Sequence, residues 1–133
     1  MVGLYSSGSG KNKSGEDVSE SPVAEPITAF QPVALVDGEL EIADQANLNH
    51  CDRVVGFALQ SATAPGQIIR VQSSGELTNL GWSFTPGDRL FLGANGAIIT
   101  NVSSSGLVVP LGHAKDADTI FIDIERSIVR RNS

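Results

Sequence analysis

Cysteine occurs once in the 133 residues, at Cys51, and tryptophan and tyrosine occur once each; histidine occurs twice. A lone thiol excludes an internal disulfide framework and any site built on several thiolates, so the fold must be held by packing or by assembly. It also fits synthesis in a reducing cytoplasm. Lys and Arg number 9 against 15 Asp and Glu, a formal charge of −6. Phosphate backbones are bound through cationic neutralisation, so a surface devoted to nucleic acid is disfavoured. No run of about 18 apolar residues is present to cross a membrane as a helix. The opening stretch MVGLYSSGSGKNKSGEDVSE has no apolar core of a secretion signal. These absences predict a soluble chain with neither a membrane nor a nucleic-acid partner.

What is present is a hydrophobic content of 41%, which in a chain of this length suits one domain with one main core. Residues 1–22 are rich in Ser, Gly, Lys and Glu and read as a flexible N-terminal arm; residues 23–133 read as a single β domain. The arm contains GSGKNKSG, but a phosphate-binding loop needs Gly, four residues and Gly-Lys-Ser/Thr between a buried strand and a helix. Here Asn12 follows Lys11 and no strand precedes, so the segment reads as a linker.

From Val23 onward the chain repeats a small grammar. The phrases DGELEI (37–42), SGELTN (74–79), NGAIIT (95–100) and SGLVVPLG (105–112) each set a small polar residue and Gly before an apolar run, which reads as a turn feeding a strand. APGQIIRV (64–71) and TPGDRLFL (85–92) share a Pro-Gly turn before a strand. VGFALQSATAPGQIIRV (55–71) and LGHAKDADTIFIDI (111–124) share an apolar-Gly-x-Ala opening, a polar turn and a β-branched strand. Alternation is clear where Ile120, Ile122 and Ile124 interleave with Phe121, Asp123 and Glu125, and where Ile69 and Val71 interleave with Ile68, Arg70 and Gln72. Helical signal is confined to residues 42–53, which suit either a short helix or an irregular loop. The fold class is therefore all-β, a small sandwich or barrel of short hairpin-connected strands.

Residues suited to chemistry are few. His50, Cys51 and Asp52 are adjacent, and adjacent side chains diverge in either regular conformation, so they do not form a nucleophile, base and orienting acid. They read instead as a buried small thiol beside a loop histidine. His113 with Asp116 and Asp118 reads as a solvated turn, and Asp37, Glu39 and Asp44 do not follow calcium-loop spacing. No dinucleotide fingerprint, zinc ligand set or nucleophile elbow is present. The expectation is a protein that is not an enzyme and carries no metal and no cofactor.

Candidate contact residues remain. Trp82 and Phe84 alternate in LGWSFTPGD, which sets both rings on one side of an extended segment as a core plug, a subunit anchor or a ligand platform. In the arm, Leu4, Tyr5 and Val18 are apolar anchors and Lys11 and Lys13 could meet an acidic surface. At the other end Arg126, Arg130 and Arg131 form a basic tail, either solvated or docked on an acidic neighbour.

The order VVGFAL, APGQIIRVQSSGELTN, W-S-F-TPGDRLFLGANGAIIT and VVPLGHAKDADTIFIDI resembles a β-rich module of tailed-bacteriophage structural proteins, both capsid decoration (cement) proteins and tail-fibre or baseplate pieces. The resemblance spans residues 54–125 and is most specific from Trp82 to Gly96. It implies a virion protein made in the host cytoplasm, a homotrimer whose partner is the major capsid protein. A compact β domain with an arm suits capsid decoration, with a tail component as the alternative and a small ligand-binding β module as a third.

Overall fold

Asp37 and Gly38 both take positive φ, 52° and 84°, in a computed structural model that describes residues 17–102, 106–125 and 128–130. Two consecutive left-handed residues are what a two-residue hairpin turn needs, because that backbone twist matches the twist of the strands it joins. They connect β2 (Pro32–Val36) to β3 (Glu39–Ile42), with Val36 opposite Glu39. Asn95 and Gly96 repeat the pair at 51° and 82°, within the turn between β7 (Arg89–Leu92) and β8 (Ile98–Ile99). The two Pro-Gly phrases place Gly66 at φ 90° and Gly87 at φ 92°, as a turn with Pro second and Gly third requires.

The remaining strands of the first sheet are β1 (Val18–Pro22), β4 (Val54–Ala58) and β5 (Ile68–Gln72). Those of the second are β6 (Gly75–Thr78), β10 (Pro110–Ala114) and β11 (Thr119–Ile122). A separate two-stranded ladder pairs β9 (Gly106–Val108) with β12 (Ile128–Arg130). Both large sheets are five-stranded and antiparallel, and together they form the all-β, sandwich-like architecture expected from the turn grammar.

Their orders are β1-β5-β4-β2-β3 and β6-β11-β10-β7-β8. Counting strands within each sheet, and leaving β9 aside, both read first, fifth, fourth, second, third. The chain has therefore traced one topology twice. The agreement extends to single residues. Between β2 and β4 the register passes from Val33 opposite Gly56 to Ala34 opposite Val54, so Val55 is bulged. Between β7 and β10 it passes from Leu90 opposite Gly112 to Phe91 opposite Pro110, so Leu111 is bulged. Each bulge precedes a glycine that a side chain could not replace. A Cβ on Gly56 would run into the Gln72 carbonyl oxygen, and one on Gly112 into the Phe121 carbonyl oxygen, each on the neighbouring strand. The shared apolar-Gly-x-Ala phrase is the sequence trace of this kinked hairpin.

Two hydrophobic clusters follow from the two sheets. One gathers Val23, Val33, Leu40, Ala58, Ile69 and Val71 within the first sheet. The other is built around Leu77, Leu90, Leu92, Leu111, Ile120 and Ile122 of the second, and takes Ala34 and Phe57 from the first sheet, with Ala43 and Cys51 from the segment after β3. Alternation along the strands sorts the faces: Ile69 and Val71 are buried while Ile68 is 66% exposed, and Ile120 and Ile122 are buried while Phe121 is 40% exposed.

One boundary differs from the sequence reading. Residues 18–22 were expected in the arm but form β1, which pairs with β5 from Val18 opposite Gln72 to Pro22 opposite Ile68. Ser19 and Glu20 face solvent, so the segment contributes a backbone ladder with little apolar burial. Composition reports burial and misses such an edge strand. SGELTN also differs from a hairpin turn: Gly75, at φ 86°, begins β6 where the chain crosses from the first sheet to the second. The helical signal in 42–53 resolves to one turn, α1 (Leu48–Cys51).

Candidate interaction surface

The adjacent His50, Cys51 and Asp52 lie on and just after α1, whose first turn is capped by Asn47 Oδ1 accepting the Asn49 N–H at 2.9 Å. The His50 ring is buried and both its nitrogens are engaged. The Asp44 N–H donates to Nδ1 at 3.1 Å, so the ring proton sits on Nε2, which donates to Glu41 Oε1 at 2.8 Å. The imidazole thus ties the segment after β3 to β3 itself. Cys51 turns into the core, and its Sγ donates to the Gln45 and Asn47 carbonyls at 3.4 and 3.5 Å. Burial, then the charges of Asp52 and Asp44, push the thiol pKa up, away from the nucleophilic thiolate. This group is a structural knot that the sequence reading missed in part, because Glu41 lies on another element. His50→Ala should cost about 1–3 kcal/mol by leaving the Asp44 N–H and Glu41 unpaired. A urea titration showing no shift of midpoint would refute that account.

His113 leaves β10 on the outer face and stacks on Phe121 with ring centroids 5.5 Å apart. Asp116 shapes the following turn, its Oδ1 accepting the N–H groups of Asp118 and Thr119 at 3.2 and 3.0 Å. The Asp118 side chain first, and then these backbone donors, hold the Asp116 carboxyl below its ordinary pKa against the opposing pull of desolvation. Among the described residues no group of three His, Cys, Asp or Glu side chains is placed to hold a metal ion.

The aromatic pair is a richer feature. Trp82 follows a turn closed by its own N–H donating to the Asn79 carbonyl at 2.9 Å, and the Phe84 N–H donates to the Ala117 carbonyl at 2.9 Å. Between them Ser83 points out, so Trp82 and Phe84 fall on one side as the alternation predicts, with centroids 5.7 Å apart. Trp82 meets Phe30 edge-on at 5.8 Å and the buried Phe57 at 6.5 Å. Both rings of the pair stay half-buried at the rim of the second core. Phe30, held at φ 73° in the first half, was invisible as a partner because nothing local links it to Trp82.

Two neighbouring grooves open beside this cluster. One, of about 590 Å³, runs between Ser83, Phe84, Thr85 and the acidic Asp88 on one bank and Ile98, Ile99, Thr100 and Asn101 on the other. The second, of about 330 Å³, continues past Trp82 and Phe30 and shares Ser83, Phe84 and Ile98 with the first. Leu80, 84% exposed, stands nearby in the turn before Trp82.

The other expected contact residues are dispersed. Val18 is a half-buried residue at the start of edge strand β1. Arg130 belongs to β12. Leu4, Tyr5, Lys11, Lys13, Arg126 and Arg131 lie outside the described residues.

No protein-family model and no curated protein matches the sequence. Among solved structures the chain is similar to the head fibre gp8.5 N base of bacteriophage phi29, at 17% identity and a TM-score of 0.50. The likeness covers 87% of this chain and 99% of that one, and it shows a shared fold.

Proposed function

We propose that this chain is a structural component of a tailed-bacteriophage head, a β module that sits on the outer capsid surface and stabilises the shell as a decoration protein. The observation that carries this reading is the fold likeness, which runs along almost the whole of a domain described as the base of a head fibre. It agrees with the resemblance of residues 54–125 to virion β modules, and it favours a head position over the tail-fibre or baseplate alternative. The working unit in this reading is a homotrimer on the major capsid protein, with stability added by subunit burial where disulfides are lacking. Trp82 and Phe84 are candidates for that burial, and Arg126, Arg130 and Arg131 for docking on an acidic neighbour. Copy number per particle tests the reading: a decoration protein is present in hundreds of copies, whereas a tail component is present at least an order of magnitude less often. Quantitative mass spectrometry of purified virions finding only tail-like numbers would overturn it.

The arm in this reading is residues 1–16, rooted by β1, with Leu4, Tyr5, Lys11 and Lys13 as its contacts and Val18 as part of its root. Ordering a chain on a partner costs about 1 kcal/mol or more per residue, which its contacts must return. Deleting residues 1–16 should leave the β domain folded and weaken attachment to capsids at least tenfold, about 1.4 kcal/mol. Deleting residues 1–22 should do more, because it strips β1 from β5 and lowers the melting temperature as well. Equal melting temperatures for the two truncations would show that β1 contributes nothing to the sheet.

A further inference from the structure

The twofold use of one topology makes each half a reference for the other, and at one place the halves differ. In the first sheet, Leu40 on β3 pairs with Leu35 on β2, and the outer side of β3 is covered by the chain leaving β1. Val23 forms a parallel bridge with Leu40, the Ala24 N–H donates to the Leu40 carbonyl at 2.8 Å, and the Ile42 N–H donates to Glu25 Oε2 at 2.9 Å. The first sheet is thus sealed by the extended segment Val23–Ala24–Glu25. In the second sheet Ile98 pairs with Leu92 just as Leu40 pairs with Leu35, and two residues on, Thr100 is the chain counterpart of Ile42, although β8 ends at Ile99. The Gly93 N–H donates to the Ala97 carbonyl at 2.8 Å, which fixes the alternation within β8 and turns the backbone groups of Ile98 outward from β7. The chain leaving β6 does not cover them. It folds into the Asn79–Trp82 turn and carries its aromatic rings aside, and among the described residues no backbone group bonds the outer side of Ile98 or Thr100. The 590 Å³ groove lies along this seam.

We propose that this seam is a strand-addition site, taking an extended peptide segment of a second polypeptide that runs parallel to β8. The first half defines the chemistry of the occupant: an apolar β-branched residue facing inward, then a small residue whose N–H meets the Ile98 carbonyl, then a carboxylate that accepts the Thr100 N–H. Backbone pairing supplies the affinity, and Phe84, Ile98 and the adjoining Trp82 supply the apolar surface for the inward side chain. This inference stands apart from the capsid reading, since it rests only on the comparison of the two halves.

The test is a titration of the full-length, isotope-labelled protein with a synthetic peptide of residues 20–27, which contains the native Val23–Ala24–Glu25 segment. Up to about 1 mM peptide, saturable amide shifts are expected at Ile98, Thr100 and Asn101, with a change in Trp82 fluorescence. The same peptide methylated on the Ala24 nitrogen should bind at least tenfold more weakly, because it loses the donor. Shifts mapping away from the seam, no saturable shift, or equal binding by the methylated peptide would each overturn the proposal.

Discussion

Gly112→Ala should lower stability by about 3 kcal/mol or more and bring the melting midpoint down by about 10 °C. Two costs add. The residue sits at φ 143°, where a side chain is strained, and the new Cβ would occupy the place of the Phe121 carbonyl oxygen. That oxygen belongs to the paired strand β11, so it can retreat only by opening the β10–β11 ladder. Gly56→Ala meets the same obstacle at the Gln72 carbonyl and crowds Val71 Cγ1 at 2.8 Å, so its loss should be similar in size. By contrast, a Cβ on Gly87 would meet nothing within 4 Å, and Gly87→Ala carries only the strain of φ 92°, about 1–2 kcal/mol. Thermal melts of the three variants should separate the first two from the third. A Gly112 variant as mild as the Gly87 variant would mean that the repeated bulge is not a tight approach of backbones.

Phe57→Ala should cost about 3–5 kcal/mol, the range for removing a buried aromatic side chain. Phe57 is fully buried, and although β4 belongs to the first sheet its ring packs into the cluster of the second, against Trp82. The loss is therefore shared between halves, and it should lower one common transition without splitting it into two. Because Trp82 is the only tryptophan, its fluorescence reports the junction while circular dichroism reports all strands. The two probes should shift together to lower denaturant. Separate midpoints, with the fluorescence lost first, would show two independently unfolding halves joined only loosely.

The turns were legible in the sequence because their chemistry is local. Asp-Gly, Asn-Gly and Pro-Gly specify backbone angles within two or three residues, and every one of those phrases sits where a positive φ is observed. Side-chain alternation likewise sorted the faces of β11, and of β5 as far as Val71; it put Gln72 outside, whereas that side chain is buried and donates to the Ser74 and Glu76 carbonyls where the chain crosses to the second sheet. Pairing across long separations left no comparable mark. Nothing in Val18-Ser19-Glu20-Ser21-Pro22 announces a partner at Ile68–Gln72, since an edge strand is held by main-chain groups that every sequence carries. The duplication was half visible, as a repeated apolar-Gly-x-Ala phrase, but the corresponding core positions Val33 and Leu90, or Leu40 and Ile98, share only apolarity. At the candidate surface, the nearness of Trp82 to Phe84 was readable from their alternation. Phe30 and the seam along β8 were not, because each depends on how the two halves meet and on where they differ.

The unequal sharing of core residues sets an order of events as the chain emerges from the ribosome. Once Gln72 is out, the first sheet has all its strands, its own apolar cluster and its sealing segment, so its strands can begin to pair before the rest exists, with Ala34 and Phe57 left uncovered until the second half arrives. The second has no such independence, for its cluster draws Ala34, Ala43, Cys51 and Phe57 from what has already formed. The earlier half therefore serves the later one as a surface to fold against, and β6, which must wait for β11 some forty residues on, has that surface beside it in the interval.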